Sequence, residues 1–197
     1  MDNKQHLENY FELVSNTSKD INQGKINNLI DCLVEIRKNN GRLFFLGVGG
    51  SAANASHAIN DFRKLCNIQC YSPFDNISEL TARINDEGWE SALKEWLKVS
   101  RITSNDALFI LSVGGGNLEK NVSVNLINAI KYAKENSAKV LGIVGRDGGY
   151  TKAYGDCIIL VPTLDEKLVT PISESFQAVI WHSIVSSPSL QVNKTKW

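Results

Sequence analysis

The sequence lacks an excess of charge of either sign, and it lacks a long hydrophobic run. Its 197 residues include 21 lysines and arginines and 21 aspartates and glutamates, so the net charge is +0 at pH 7. A nucleic-acid partner is not expected, because no surplus of basic side chains could neutralise phosphates. No stretch approaches the roughly 18 apolar residues of a membrane span, and the polar N-terminus is unlike a signal peptide. We therefore expect a soluble, cytoplasmic protein with no membrane or nucleic-acid partner.

Cysteine is also scarce, and its spacing is unlike that of a disulfide framework or a zinc knuckle. The four cysteines are Cys32, Cys66, Cys70 and Cys157. They form no CxxC pair, and no second cysteine or histidine pair accompanies Cys66 and Cys70. Their spacing favours reduced, mostly buried thiols in a reducing compartment.

Apolar residues first recur at helical spacing and then alternate between short runs and helical patterns. The spacing predicts two N-terminal helices, over 5–22 and 26–38. Short runs rich in branched and aromatic residues predict buried parallel strands at 43–46, 68–71, 108–111, 140–144 and 157–161. Further helices are predicted at 51–65, 88–99 and 119–136, with a short turn near 150–155 and a last helix from after Pro171 to about Ser187.

This order predicts an α/β fold, a doubly wound, five-stranded parallel sheet preceded by an N-terminal helical hairpin. No internal repeat and no linker composition is found, so the sequence predicts a single domain over 1–197. Within it, 1–40 is the hairpin, 41–187 the α/β core and 188–197 a tail, of which 191–197 is expected to be frayed. In open parallel sheets the ligand lies outside the carboxyl ends of the strands, so the segments after the strands are expected to carry the chemistry.

Three of those segments are glycine-rich turns, at 47–53, 112–117 and 145–149. Glycine lets the backbone approach an anion closely, and a following helix N-terminus supplies free N–H groups. Together the three turns indicate a crevice suited to a phosphorylated small molecule. The spacing of Gly47, Gly49 and Ala52 also fits a dinucleotide fingerprint, but no acidic residue ends the second strand. We therefore expect no nucleotide cofactor.

Three segments resemble the SIS (sugar isomerase) domain: G-x-G-G-S-A-A-N-A-S-H at 47–57, S-P-F-D-N-I-S-E-L-T-A-R-I-N-D-E-G at 72–88 and G-R-D-G-G at 145–149. Within that family they are most similar to the phosphoheptose isomerases, and the resemblance runs from about residue 25 to 187. It implies a flavodoxin-like sheet and a homotetramer whose active sites lie between subunits. The implied reaction is the conversion of sedoheptulose 7-phosphate to a heptose 7-phosphate.

The resemblance also implies a divalent metal, usually zinc. Its ligands would be His57 and Asp61 on the helix after the first loop, with Glu174 and His182 on the last helix. Asp61 stands where the family has Glu, and Glu174 where it has Gln. The four side chains give an N2O2 ligand set acceptable for zinc. For the proton transfer of an aldose–ketose isomerase, Asp61 or Glu174 would be the base and His182 the acid.

Residues that would bind the substrate lie in three further groups. They are Gly49, Gly50, Ser51 and Asn54, then Asp75, Asn85 and Asp86, and finally Ser112, Gly114, Gly115 and Gly116. The last group departs from the family pattern S-T-S-G-N-S, because only Ser112 keeps a hydroxyl. Backbone N–H groups would then bind the phosphate, with Lys120 and Arg146 as candidate countercharges. The insertion-like stretch 117–122 indicates a reshaped pocket.

Alternatives remain open at this point. Asp75, Asn85 and Asp86 are also typical turn residues. A non-catalytic SIS module that binds a sugar phosphate as a regulator or scaffold would need no metal. A NAD-dependent oxidoreductase is disfavoured because the acidic residue that would bind the ribose is missing.

Overall fold

The five apolar runs form the strands of one parallel sheet. In the computed structural model, which describes residues 2–195, the strands are β1 (Arg42–Leu46), β2 (Gln69–Tyr71), β3 (Ala107–Ser112), β4 (Lys139–Val144) and β5 (Cys157–Leu160). Every neighbouring pair is parallel, and the order is β2-β1-β3-β4-β5. This is the flavodoxin-like order. The chain adds β2 on one side of β1 and then β3, β4 and β5 on the other side, so the order in which strands are added reverses between β1 and β3. The predicted five-stranded parallel sheet is confirmed.

Helices cover both faces of the sheet, as the strand–helix alternation predicts. They are α1 (Asn3–Asp20), α2 (Gln23–Lys38), α3 (Gly50–Cys66), α4 (Ile77–Glu87), α5 (Trp89–Val99), α6 (Val124–Glu135), α7 (Gly149–Tyr154) and α8 (Val169–Val185). One buried cluster joins α2, α3 and α8 to one face of the sheet through Phe45 and Phe109. A second cluster joins α4, α5 and α6 to the other face through Phe44 and Leu108. Side chains alternate along each strand, so a buried strand supplies both cores.

Helices α3 and α8 lie side by side, and together they carry the predicted metal positions. Ala55 and Ala58 of α3 are fully buried in the same cluster as Phe176 and Ile180 of α8. Alanine at the contact lets two helices approach closely, because it adds no bulk beyond a methyl group. Residues further along α3 contact residues further along α8, so the two helices run in the same direction.

Three helix predictions need correction. The apolar pattern predicts no helix where α4 lies, because the only buried residue of α4 is Leu80. Helix α6 begins at Val124 rather than at 119, because Asn117 and Val122 form an antiparallel bridge before it. Helix α8 begins at Val169, so Pro171 lies inside its first turn, where the missing N–H costs no hydrogen bond.

The C-terminal segment packs against the fold as far as Asn193, although the sequence predicts fraying from Gln191 onward. Leu190 is fully buried, and the backbone N–H of Val192 donates to the carbonyl of Leu65 at 2.9 Å. The guanidinium of Arg37 also donates to the carbonyl of Ser189 at 3.0 Å. The tail therefore packs against α2 and α3. Lys196 and Trp197 of the predicted tail lie outside the described residues.

None of the helices in the described part of the chain is long and apolar enough to cross a membrane. All four cysteines are free thiols, and Cys66 and Cys70 are buried. Burial raises the pKa of the Cys66 thiol to about 12, which keeps it protonated.

Candidate active site

Helices α3 and α8 bring His57, Asp61 and His182 together. Asp61 Oδ2 lies 3.6 Å from His57 Nε2 and 3.3 Å from His182 Nε2. One potential ligand atom from each residue lies within 4.8 Å of the other two. His57 and Asp61 are four residues apart on α3, so they project from the same face of the helix. The arrangement gives two imidazoles and a carboxylate that could hold a divalent metal ion.

The three residues differ sharply in exposure. The side chain of Asp61 is 6% exposed, whereas those of His57 and His182 are 57% and 51% exposed. A bound ion would therefore have protein ligands on its inner side and free positions on its outer side. Such an open site is typical of catalytic metals, whereas structural metals are usually enclosed by protein ligands.

Both oxygens of the Asp61 carboxylate already accept hydrogen bonds. Oδ2 accepts from the indole Nε1 of Trp181 at 3.1 Å, and Oδ1 accepts from the amide of Asn60 at 3.1 Å. A buried carboxylate is costly unless such donors compensate its lost hydration. These bonds also fix the direction in which the carboxylate faces the two histidines.

Glu174, the fourth predicted metal position, does not join this cluster. Its Oε1 accepts a hydrogen bond from the Ser51 hydroxyl at 3.3 Å, at the first turn of α3. The carboxylate also packs against Gly50, where any Cβ would lie 2.4 Å from Oε2. Ser51 precedes His57 by six residues, a rise of about 9 Å along a helix. The carboxylate therefore occupies the glycine loop in which the sequence predicts an anion site.

Two more polar side chains join the N-terminal part of α3 to the middle of α8. The amide of Asn54 donates to the carbonyl of Glu174 at 2.9 Å and to Gln177 Oε1 at 2.8 Å. Gln177 Nε2 donates to the Ser51 hydroxyl at 3.1 Å. Asn54 is a predicted substrate contact, but in this structure its amide hydrogen-bonds to the neighbouring helix α8. Gln177 was missed by sequence reasoning, because an amide on an apolar helix has no motif of its own.

The glycine loop after β3 is tied to the loop after β4. The backbone N–H of Gly115 donates to the Ser112 hydroxyl at 3.0 Å, so this N–H is not free for a ligand. The carbonyl of Gly115 accepts from Thr151 Oγ1 at 2.7 Å, and that of Gly116 accepts from the N–H of Tyr150 at 2.9 Å. Gly115 has φ +67° and a Cβ there would lie 2.0 Å from a backbone oxygen, so only glycine fits.

Beside this loop lies a cavity of about 480 Å³, at the carboxyl ends of β3 and β4. Gly114, Lys120 and Arg146 line it, together with Thr163. The Thr163 hydroxyl is buried without a hydrogen-bond partner among the described residues. Two cationic side chains, an unpaired hydroxyl and a glycine backbone are groups suited to a phosphate. Two carboxylates, those of Asp147 and Glu166, also line the cavity, and carboxylates accept hydrogen bonds from sugar hydroxyls.

Asp75, Asn85 and Asp86 lie outside both the histidine cluster and this cavity. Asp75 ends a 3₁₀ turn over Pro73–Asp75 and accepts from the N–H of Ser72 at 3.3 Å. Asn85 and Asp86 are exposed residues of α4 and hydrogen-bond to each other at 2.7 Å. Gly49 has φ +62° and precedes α3 in open space, so its backbone stays accessible.

Comparisons with known proteins agree with this architecture. The SIS domain family matches residues 6–145. The phosphoheptose isomerase of Aliarcobacter butzleri is 31% identical over 159 residues, which cover 77% of this chain and 77% of that protein. The lincomycin biosynthesis protein LmbN of Streptomyces lincolnensis is 33% identical over 156 residues, 73% of this chain. That match covers 54% of LmbN, so the chain spans about half the length of this relative.

A solved structure shows the same fold. The phosphoheptose isomerase GmhA of Neisseria gonorrhoeae superposes with a TM-score of 0.78 at 22% identity, over 92% of this chain and 96% of that one. The length of the family match and the identity to the Aliarcobacter protein confirm the resemblance that the sequence motifs indicate. The chain belongs to the SIS domain family, and within it the chain is similar to the phosphoheptose isomerases.

Proposed function

We propose that this sugar-phosphate isomerase interconverts sedoheptulose 7-phosphate and a heptose 7-phosphate, with a divalent metal ion bound by His57, Asp61 and His182. The observation that carries the proposal is the meeting of these three side chains, with ligand atoms within 4.8 Å of one another. Relatives at about 30% identity that are named phosphoheptose isomerase support the substrate.

The donor set fits zinc or another borderline divalent ion. Two imidazoles and one carboxylate, with free outer positions, match the composition of catalytic zinc sites. A metal ion there would stabilise negative charge on the substrate's carbonyl and neighbouring hydroxyl oxygens. The buried Asp61 carboxylate supplies negative charge on the inner side, while the exposed imidazoles leave room for a sugar on the outer side.

We assign the role of base to Glu174. Asp61 is enclosed, and both of its oxygens already accept hydrogen bonds from Asn60 and Trp181. Among residues 2–195, the Glu174 carboxylate accepts a hydrogen bond from Ser51 alone. It is half-buried and is not part of the proposed ligand set. The order of the strands reverses between β1 and β3, and ligands of such sheets bind in the crevice at this point. The glycine loop after β1, which the Glu174 carboxylate contacts, borders that crevice. For this step the Glu174 side chain would turn from Ser51 toward the histidine cluster, because a base must lie within hydrogen-bond reach of the proton that it removes. It would take the proton from one carbon and return it to the neighbouring carbon.

The phosphate would bind in the cavity beside the β3 loop. Lys120 and Arg146 supply positive charge, and Thr163 supplies an unpaired hydroxyl. This assignment explains how a loop without the usual hydroxyls could still retain a phosphate. Ser112 and the Gly115 N–H, which the sequence suggests as phosphate contacts, would instead hold the loop in shape.

We also propose that the protein is a cytoplasmic homotetramer with active sites between subunits. The outer side of the histidine cluster is open, and Leu7 and Phe11 on α1 expose 54% and 66% of their surface. A second copy packed over such apolar residues would bury them and could enclose the sugar.

The experiment that tests the function is NMR of sedoheptulose 7-phosphate with purified protein in deuterated buffer, before and after metal removal. We expect new heptose resonances and deuterium at C1 or C2 that disappear with a chelator and return with zinc. Turnover that persists without metal would contradict the metal assignment. Tight binding without turnover would instead indicate a non-catalytic SIS module.

A further inference from the structure

We propose that Trp181 is a positioning residue, which orients the Asp61 carboxylate for metal binding through its indole N–H. This inference rests on the proposed metal site and adds to it a residue outside the ligand set. Trp181 immediately precedes His182 on α8, so one helix supplies both a ligand and the group that orients the neighbouring ligand.

The evidence is a buried hydrogen bond at the centre of the cluster. Trp181 Nε1 donates to Asp61 Oδ2 at 3.1 Å, and Trp181 and Asp61 are only 1% and 4% exposed. The same oxygen faces His57 Nε2 and His182 Nε2, at 3.6 Å and 3.3 Å. The indole N–H is therefore a fixed donor on the inner side of the atom that would touch the ion. Water cannot replace it easily, because the surroundings are closed to solvent.

The indole ring also supports both histidines. Its centroid lies 5.3 Å from the His57 ring in an edge-to-face arrangement, and 4.9 Å from the His182 ring. Packing of this kind restricts the rotamers of the two imidazoles. One side chain thus contacts all three proposed ligands from the buried side.

The need for such support follows from the length of the Asp61 side chain. Aspartate carries its carboxylate one methylene closer to the backbone than the glutamate of the family pattern does. A short side chain has less freedom to adjust to an ion, so its carboxylate must be aimed by neighbouring donors. Groups that hydrogen-bond to metal ligands typically change metal affinity by about 10–100-fold when they are removed.

The test compares Co²⁺ binding to the metal-free forms of the wild type, Trp181→Phe and Trp96→Phe. Phenylalanine keeps an aromatic ring at 181 but has no N–H donor. Trp96 is a matched control, since it is nearly buried and packs on Phe44 in the other core. We expect Trp181→Phe to weaken Co²⁺ binding about tenfold or more and to alter the visible spectrum of the bound ion. We expect Trp96→Phe to leave both unchanged. Equal affinities of Trp181→Phe and the wild type would overturn the proposal.

A double-mutant cycle distinguishes positioning from general loss of packing. If Trp181 acts through Asp61, Trp181→Phe weakens Co²⁺ binding when Asp61 is present. The same substitution should then have little further effect on Co²⁺ binding in a protein that already carries Asp61→Asn. An equal loss of affinity in both backgrounds would contradict action through Asp61. Should Trp181→Phe not fold, benzothienylalanine at 181 replaces the N–H by sulfur at nearly the same shape.

A second measurement needs no metal. In the metal-free protein, the indole N–H resonance of Trp181 should shift on Asp61→Asn, because the acceptor loses its charge. An unchanged resonance would show that the hydrogen bond is absent. Failure of the wild type to bind Co²⁺ would refute the proposed metal site and, with it, the positioning role. A wild type that binds Co²⁺ as tightly as Trp181→Phe would refute the positioning role alone.

Discussion

The Glu174 carboxylate accepts a hydrogen bond from the Ser51 hydroxyl, which lies 123 residues earlier in the chain, at 3.3 Å. Through this contact the second turn of α8 meets the glycine loop after β1. The Ser51 hydroxyl in turn accepts from Gln177, so its proton points to the carboxylate. The contact leaves most of the acceptor capacity of Glu174 free, which is what a base requires.

Glu174→Gln tests the role of base, because it keeps the shape of the side chain and removes its basicity. We expect kcat to fall about 10²–10⁴-fold, the usual contribution of general base catalysis, with KM changed little. Steady-state kinetics and metal content are the measurements, and bound metal should be unchanged. Glu135→Gln, on the exposed face of α6, is the matched control. If Glu174→Gln keeps the wild-type kcat while Asp61→Asn retains metal but loses activity, the base is Asp61.

Lys120→Ala and Arg146→Ala test the phosphate site. A charge-assisted contact with a phosphate is present in both the ground state and the transition state, so its loss raises KM and spares kcat. We expect KM to rise about tenfold in each variant, in line with the loss of one hydrogen bond to a charged group. Lys25→Ala, an exposed lysine of α2, should leave KM unchanged. Unaltered KM values in both site variants would place the phosphate elsewhere.

The sequence predicted the sheet well, because parallel strands buried on both faces leave continuous apolar runs. It failed for α4, whose residues are mostly exposed and whose only buried residue is Leu80. It also failed at 117–123, where Asn121 and Ser123 adopt φ +52°. A helical reading continued through this stretch, because left-handed backbone at non-glycine residues has no strong sequence signal.

The candidate site was predictable only as far as helical spacing reaches. His57 and Asp61 are four residues apart on one helix, so their common face follows from sequence. The sequence does not reveal that Glu174 hydrogen-bonds to Ser51, because Glu174 was matched to the family pattern by its position relative to His182 alone. Which way a glutamate turns depends on donors from another helix, here Ser51. The role of Trp181 was hidden for the same reason, since a buried tryptophan usually indicates core packing.

Leu190→Ala tests whether the C-terminal segment is part of the folded structure. Leu190 is fully buried, so removing its side chain should lower the free energy of unfolding by about 2–4 kcal/mol. Val192→Ala, two residues later and 53% exposed, should change it by less than about 0.5 kcal/mol. Urea unfolding followed by circular dichroism measures both. Equal stability of the two variants would mean that the segment is frayed in solution.

The ion pair between Asp106 and Arg42 contributes to the free energy of unfolding by an amount that depends on pH. Arg42 Nη2 lies 2.8 Å from Asp106 Oδ2, and Asp106 also accepts from the N–H and hydroxyl of Thr103. Burial alone would raise the pKa of Asp106, but the hydrogen bonds from Arg42 and Thr103 outweigh it and hold the pKa below its ordinary value. The ionised form is therefore favoured by folding.

A depressed pKa in the folded state stabilises the protein above the pKa of the unfolded chain, and this stabilisation is lost as the pH falls through the folded pKa. Asp106→Asn should therefore lower the free energy of unfolding by about 2–3 kcal/mol at pH 7, a value discounted because Arg42 is partly exposed. The deficit should be constant above about pH 5 and should shrink below about pH 4, near the pKa of an unfolded aspartate. Thermal unfolding of both proteins between pH 3 and pH 7 measures the difference.

Glu8→Gln, whose partner Lys4 is 86% exposed, should show almost no deficit at any pH. A deficit for Asp106→Asn that does not change with pH would show that the ion pair is not the source of the stability.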